Sequence, residues 1–575
     1  MKFIFKKMKP YSKKVTESIT LKVIGTLADL ALPFLTAYLI DDLLPIAQKD
    51  NLTNIILLGL AMLTIALIGW TFNIRANRIA EYVAAYSVRD IRNELFEQIN
   101  ELSASQIDDI TSSSLISRMT TDTYNIFTSI GTIQRLGVRA PILFIGGIIV
   151  SFFLDWVLAL IMVSLVPFII YFSISNSKKG RPLYANIQYR VDQLIRTLRE
   201  NITGARVVKA LSMVEYENQR FHQDNSLVVQ EELKATVTMS KIRPLVDLVM
   251  NIGLVVVLIV GAFRVFNQAT QVGEILAFVT YFTIILNATM SLTRVFIRLS
   301  RASASAERIE EVLDLKIEED FGATEIKIIP TEPHIEFKNV SFSYNGVADH
   351  LENISFKLYK GQTLGILGAT GAGKTTIINL MMRFYEPQKG EINLFGQNIN
   401  TINKKKLRET IGVVLQNDLI LSETIYENIQ FNRTHIDLET VEFAKSIAQA
   451  TFIDQMPLKN YERMAQRGSN ISGGQKQRLL IARAVAGKPQ LLILDDASSA
   501  LDYQTDMLMR QAIKKSLAET TKIIVAQRIS SVKDADVILL IDNGKIIGKG
   551  THEELLETSA AYQSIMMHQL GGEIL

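Results

Sequence analysis

The run Gly368-Ala-Thr-Gly-Ala-Gly-Lys-Thr375 places three glycines, a lysine and a hydroxyl at the spacing that cradles a polyphosphate. Gly368, Gly371 and Gly373 let backbone N–H groups turn inward at a helix N-terminus. Lys374 adds a mobile positive charge for the β- and γ-phosphates, and Thr375 offers its hydroxyl to Mg²⁺. Thr370 inside the loop and Thr376 after it are further candidate nucleotide contacts. A second run, Leu491-Leu-Ile-Leu-Asp495, reads as a buried strand ending in a carboxylate that can sit near the metal. The chemistry these residues suit is binding of a nucleoside triphosphate with Mg²⁺.

Such a loop works only between a strand and a helix. Here the apolar run 364–367 precedes it and a helical run, 376–383, follows. Strands are expected at 334–337, 353–358 and 363–367, and apolar strand runs then alternate with helical segments to the end of the chain. That is the pattern of an α/β domain. It occupies 334–575, after a linker at 319–333 punctuated by Pro330 and Pro333.

The first 318 residues have a different character. Apolar runs long enough to cross a bilayer, about 20 residues each, lie at 18–44, 53–74, 137–154, 156–175, 244–266 and 274–297. Only Asp155 separates the third from the fourth, which predicts a tight hairpin there. The connections 75–136 and 176–243 are long, polar and rich in Arg and Lys, as is the N-terminal tail. The positive-inside rule therefore puts both termini and both long connections in the cytoplasm. The fold expected is a six-span all-α transmembrane domain, 1–318, joined to an α/β P-loop nucleotide-binding domain.

Composition narrows the remaining classes. Of 575 residues 48% are hydrophobic, and the net charge is only +3 with no basic domain, which argues against nucleic acid as a partner. The chain has no cysteine, which excludes disulfides and thiolate chemistry, and its six histidines show no metal-binding spacing.

The segment Asn470-Ile-Ser-Gly-Gly-Gln-Lys-Gln-Arg478 resembles the signature of the ABC transporter family. Physically it is a helix cap whose N–H groups and Ser hydroxyl suit a γ-phosphate, with the helix expected from about Gln475. Other family elements occur in the same order. Tyr344 in Val-Ser-Phe-Ser-Tyr is similar to the aromatic that stacks on adenine, Gln416 to the Q-loop residue reaching Mg²⁺, and Ser499-Ala-Leu-Asp502 to the D-loop. Residues 115–122 and 204–209 resemble segments around the intracellular coupling elements, and Asp29, Pro33 and Asp41 fit the first span of exporters. The resemblance implies a half-transporter of the ABC exporter type, in which ATP is held between one chain's P-loop and the partner's signature. The metal residues so implied are Thr375, Gln416 and Asp495; the residues acting in trans are Ser472, Gly473, Gly474 and Gln475.

Three positions depart from the family. Asp496 stands where the catalytic Glu is usual, Gln527 replaces the switch histidine, and Gln466 replaces the acidic residue before the signature. A missing methylene draws the carboxylate back, and a neutral amide cannot carry a proton. The pattern resembles the impaired-site subunit of bacterial heterodimeric multidrug exporters. It implies a homologous partner chain with an intact catalytic Glu and switch His, in a bacterial plasma membrane. For the cargo cavity the candidates are Asp29, Phe34, Tyr38, Asp247 and Phe282. Isolated carboxylates within spans suggest small amphiphilic cations, with membrane lipid as surroundings. A lipid or peptide translocator of the same build, or a nucleotide-gated regulatory subunit without turnover, are the alternatives.

Overall fold

The computed structural model describes residues 1–45, 52–316, 326, 329, 331–346, 348–416 and 419–569. The chain forms two compact units. The first comprises 1–100 with 112–315; the second comprises 316–575 together with 101–111. The short stretch 101–111, which the sequence places within 1–318, thus groups by its contacts with the second unit. Most of the expected linker, including Pro330, lies outside the described residues.

The first unit is helical. Five helical segments among the described residues are long and apolar enough to cross a membrane: Lys2–Leu43, Leu52–Glu101, Ser112–Leu154, Asp247–Phe266 and Val272–Leu313. The fourth expected span opens the helix Trp156–Thr203 with the apolar stretch Trp156–Leu165, beyond which several side chains lie outside the described residues. The break at Asp155 is real, and its cause is local. Asp155 is extended, and its carboxylate accepts from the N–H groups of Val157 (2.8 Å) and Leu158 (3.1 Å), capping the next helix. The other carboxylate oxygen pairs with Arg264 Nε at 2.6 Å.

Small residues bring the first two spans together. A Cβ at Gly69 would stand 3.2 Å from that of Ala28, and one at Gly25 would stand 2.9 Å from Asn73 Nδ2. The helix Val272–Leu313 packs on Val138–Leu154 and on Ser12–Tyr38, where the buried Tyr281 hydroxyl donates to the Leu30 carbonyl at 2.5 Å. Asp41 caps the same helix, accepting from Gly273 N at 2.6 Å and Glu274 N at 2.9 Å.

The second unit holds two sheets. The smaller is antiparallel, ordered β2 (Leu351–Leu358), β1 (Ile335–Phe342), β4 (Lys389–Leu394), β5 (Gln397–Asn398). The larger is ordered β10 (Lys545–Gly550), β9 (Val537–Asp542), β3 (Thr363–Leu367), β8 (Thr521–Ala526), β7 (Leu491–Asp495), β6 (Ile411–Val414). From β9 to β6 all its pairings are parallel. β3 and β7 are apolar runs buried along nearly their whole length, as strands covered on both faces must be. The loops after β3, β7 and β8 thus leave the sheet at the same carboxyl edge, where α/β folds place their ligands.

Candidate functional site

The loop after β3 becomes the helix Lys374–Met381 at Gly373. Gly373 has φ +101°, and a Cβ there would lie 2.8 Å from Leu351 Cδ2 and 2.9 Å from the His350 carbonyl, so only glycine fits. Lys374 turns back on its own loop, with Nζ donating to the carbonyls of Gly368 (2.8 Å) and Ala369 (2.7 Å). Burial lowers the pKa of this ammonium, while Asp495 and Asp496 oppose the shift.

A cavity of about 530 Å³ opens over this loop. It gathers Lys374, Thr375, Gln416, Asp495, Asp496 and Gln527 from four separate segments, and Thr370, Gly371, Gly373 and Thr376 also line it. Thr375 Oγ donates to Asp495 Oδ2 at 3.1 Å. With the Gln416 amide these form an all-oxygen donor set, which suits Mg²⁺. Among the described residues no three acidic or histidine side chains cluster to hold a metal alone, so water and phosphate oxygens would complete the shell.

The two carboxylates differ in their surroundings. Asp495 is 3% exposed at the end of β7, and burial raises its pKa; the Thr375 bond opposes this and the Asp496 charge adds to it. Asp496 is half-buried, and burial raises its pKa too, against the pull of Lys374 and Arg528. Its backbone lies at φ +51°, a region Asp tolerates better than most residues. That backbone is held at both ends. Its N–H donates to the Val525 carbonyl at 3.0 Å, and its carbonyl accepts from Ser499 Oγ (3.0 Å) and Gln477 Nε2 (3.3 Å).

The signature residues stand apart from this cavity. The helix begins at Gly473, two residues before the expected start, because Ser472 and Gln475 form a reciprocal capping box. Ser472 Oγ accepts from Gln475 N at 3.3 Å, and Ser472 N donates to Gln475 Oε1 at 2.9 Å. Ser472, Gly474 and Gln475 are absent from the lining of the cavity over the P-loop, and Gly473 lines a separate crevice beside Gln416. Gln466 is exposed in a short turn, Gln466–Gly468.

Tyr344 lies at the margin. It does not line the cavity, but its hydroxyl sits 3.4 Å from Thr376 Oγ and accepts from Asn379 Nδ2 at 3.0 Å, and the residue is 42% exposed. Tyr385 meets it edge-on, with centroids 4.9 Å apart, and the Tyr385 hydroxyl bonds to Asp108 of the helix Ala104–Ile110. Neither Tyr385 nor Asp108 was marked by the sequence, and no local pattern pointed to them. Gln569 was also missed; its amide donates to the Gln527 carbonyl at 2.7 Å and accepts from Ile529 N at 2.8 Å. For Asn543-Gly544, which closes the β9–β10 hairpin and lines the cavity, the Asn-Gly pair between two strands was a usable signal.

The cargo candidates are not brought together as expected. Asp29 is not isolated: Arg139 Nη2 donates to its Oδ2 at 3.0 Å, as a carboxylate within a span requires. Phe282 is buried among Leu158, Met162 and Phe278. Phe34, Tyr38 and Asp247 are exposed, Asp247 without an ion pair among the described residues.

Comparison with known proteins yields consistent matches along the chain. The family described as "ABC transporter transmembrane region" matches residues 15–290, and that described as "ABC transporter" matches 351–499. The uncharacterized ABC transporter ATP-binding protein YfiB of Bacillus subtilis is 33% identical over 569 residues, 98% of each chain. The ATP-dependent lipid A-core flippase of Desulfotalea psychrophila is 31% identical over 541 residues, 92% of each. A solved bacterial Atm1-family ABC exporter with ATP bound superposes with a TM-score of 0.81 at 22% identity, covering 98% of this chain and 99% of that one.

Proposed function

The chain belongs to the ABC transporter family, and from that premise we propose that it is the impaired-site half of a heterodimeric exporter. As a member with a membrane region and an ATP-binding domain on one polypeptide, it is a multi-pass membrane protein that binds ATP and couples hydrolysis to transport. In the proposed pair this chain's P-loop holds ATP at a slow site, with Tyr344 on the adenine. Its signature, Ser472 to Gln475, serves the partner's ATP. The pair sits in a bacterial plasma membrane with both termini cytoplasmic.

The observation that carries this reading is the backbone of Asp496. The usual Glu would reach one methylene further, and a backbone shift could make up the difference. Here the peptide groups on both sides of Asp496 are tied down by Val525, Ser499 and Gln477. The shorter arm is therefore uncompensated, and a misplaced catalytic group costs on the order of a hundredfold. Gln527 compounds this, because its amide can hydrogen-bond a phosphate but cannot take up a proton. Mg²⁺, when bound by Thr375, Asp495 and Gln416, would neutralise charge on the phosphates. Lys374 would exchange its two loop carbonyls for phosphate oxygens.

The test is ATP turnover of the purified chain alone and of the chain co-purified with a homologous half-transporter. The pair should be faster by at least about a hundredfold; equal rates would sink the reading. Restoring Asp496→Glu with Gln527→His should accelerate the pair further.

The cargo of the pair is read as a small amphiphile. The Asp29–Arg139 pair takes Asp29 out of the argument for a cationic cargo and leaves that argument resting on Asp247; a second reading is an amphiphile with an anionic group. A lipid A-core flippase among the relatives lends that reading support. Dye and labelled-lipid transport in inside-out vesicles, with and without ATP, separates the two.

A further inference from the structure

The nucleotide-binding unit contains a second cavity, about 630 Å³, at the end of the sheet remote from the P-loop. It lies between β8 and the helix Tyr503–Ser516, and the starts of β3 and β8 border it. Four cationic side chains line it: Arg510, Lys514, Lys522 and Lys533. Two carboxylates, Asp534 and Asp536, answer them, and Asp536 is already engaged by Thr363 N at 2.7 Å. The excess is positive.

Lysines on a surface are ordinarily just solvated, but Lys522 is not on the surface. It is 6% exposed on β8, which lies inside the sheet between β3 and β7. Its ammonium has three donors, and among the described residues its single hydrogen bond is to the Thr520 carbonyl at 2.8 Å. A buried ammonium without a paired carboxylate is costly. Arg510 shows a similar shortfall. It donates to the Ser530 carbonyl at 2.8 Å and pairs with Asp506 at 3.1 Å, yet its buried Nε has no partner among the described residues. Apolar side chains stand beside these cations on both walls: Leu492, Leu494 and Ile524 on the sheet next to Lys522, and exposed Tyr503 and Met507 on the helix that carries Arg510.

We infer that this cavity is a ligand site, separate from the ATP cleft, for an amphipathic organic anion. The anionic group would meet Lys522 and Arg510, and a flat apolar part would lie on Leu494 and Tyr503. The volume is within the range of small-molecule sites. Its place also matters. The lining helix starts directly after Asp502, and Arg510 ties it to Ser530; Ser531, which lines the cavity, lies four residues beyond Gln527 of the ATP cleft, so an occupant touches a segment that continues from that cleft.

Pyridoxal 5′-phosphate is a suitable probe, being a flat anion with an aldehyde. A neutral lysine amine adds to the aldehyde, water leaves, and borohydride delivers hydride to the resulting imine while solvent supplies the proton. The full chain in lipid nanodiscs, with saturating Mg-ATP to cover Lys374, is labelled, reduced and mapped by peptide mass spectrometry. Saturable labelling at Lys522 or its neighbour Lys514 is expected, weakened about tenfold by Arg510→Gln. Lys522→Met, which conserves volume, should fold, keep ATP binding and lower the labelling of Lys514 by a similar factor. Unsaturable labelling spread over exposed lysines such as Lys405 and Lys406, with Lys522 untouched, would overturn the inference. So would labelling of Lys522 that is indifferent to Arg510→Gln.

Discussion

In the membrane unit, buried or half-buried carboxylates stand beside guanidinium groups: Asp155 with Arg264 at 2.6 Å, Asp29 with Arg139 at 3.0 Å, Asp122 with Arg308. In the ATP cleft, Asp495 and Asp496 sit side by side, with only the Thr375 hydroxyl bonded to Asp495 and no hydrogen bond to the Asp496 carboxylate among the described residues. Lys374 is nearby yet satisfied by carbonyls. The difference follows from what each surrounding supplies. A carboxylate shut away from water has nothing else to solvate it, so the fold must neutralise it. The cleft can leave charges open because a metal and a polyphosphate bring the compensation when they bind.

The largest effect should come from breaking a settled pair. Asp155→Ala removes a helix cap and strands Arg264 in the helix bundle, at a cost of about 3–5 kcal/mol. Thermal unfolding in detergent reads this directly. The double variant with Arg264→Met should recover most of the loss, since it removes the orphaned charge. Unchanged unfolding of Asp155→Ala would mean that the pair is not structural.

The cleft should respond in the other way. Lys374→Ala should weaken ATP binding about a hundredfold, or about 2.7 kcal/mol, with little change in the stability of the empty protein. Binding should also depend on pH with a definite sign. The raised pKa of Asp495 means that protons compete with the metal from above the ordinary carboxylate range. Mg-ATP affinity therefore falls as pH drops through that window, by at most about tenfold per pH unit for one carboxylate. Asp495→Asn should bind more weakly throughout and show a flatter profile, measured by titration calorimetry between neutral and acid pH.

A smaller effect tests the signature. Ser472→Ala loses the capping box, at about 1 kcal/mol of stability. In the proposed pair it should leave this chain's own ATP affinity unchanged while slowing turnover at the partner's site. A loss of this chain's ATP affinity instead would remove the division of labour between cleft and signature.

What the sequence could show divides along the same line. The phosphate loop, the strand ending in Asp495 and the capping residues Ser472 and Gln475 are contiguous, so residue type and spacing carried them. Asp29 and Arg139 are 110 residues apart, and Asp108 and Tyr385 are 277 apart. Whether such side chains meet depends on how each helix is rotated and how far it slides against its neighbours, which periodicity leaves open. The reading of Asp29 as an isolated carboxylate went wrong for that reason. Phe282 poses the same difficulty: an aromatic in a span fits a packed core or a cavity wall equally well on sequence alone.

The smallest predicted effect bears most directly on the contrast between paired and open charge. Asp496 is a half-buried carboxylate with a raised pKa, so its ionised form opposes folding above that pKa. The folded chain holds the proton over a range where the unfolded chain has released it, and stability contributed by this group is lost as pH rises. Asp496→Asn removes the charge and keeps the shape. At neutral pH the variant should therefore melt slightly higher than the parent, by no more than about 2 °C, and the gain should vanish as pH falls below the ordinary carboxylate range. With Mg-ATP bound the advantage should shrink, because the ligand then compensates the aspartate. A lower melting temperature for Asp496→Asn in the empty protein would show that this carboxylate is settled in the fold, as Asp155 is, and that the cleft is not built on open charge.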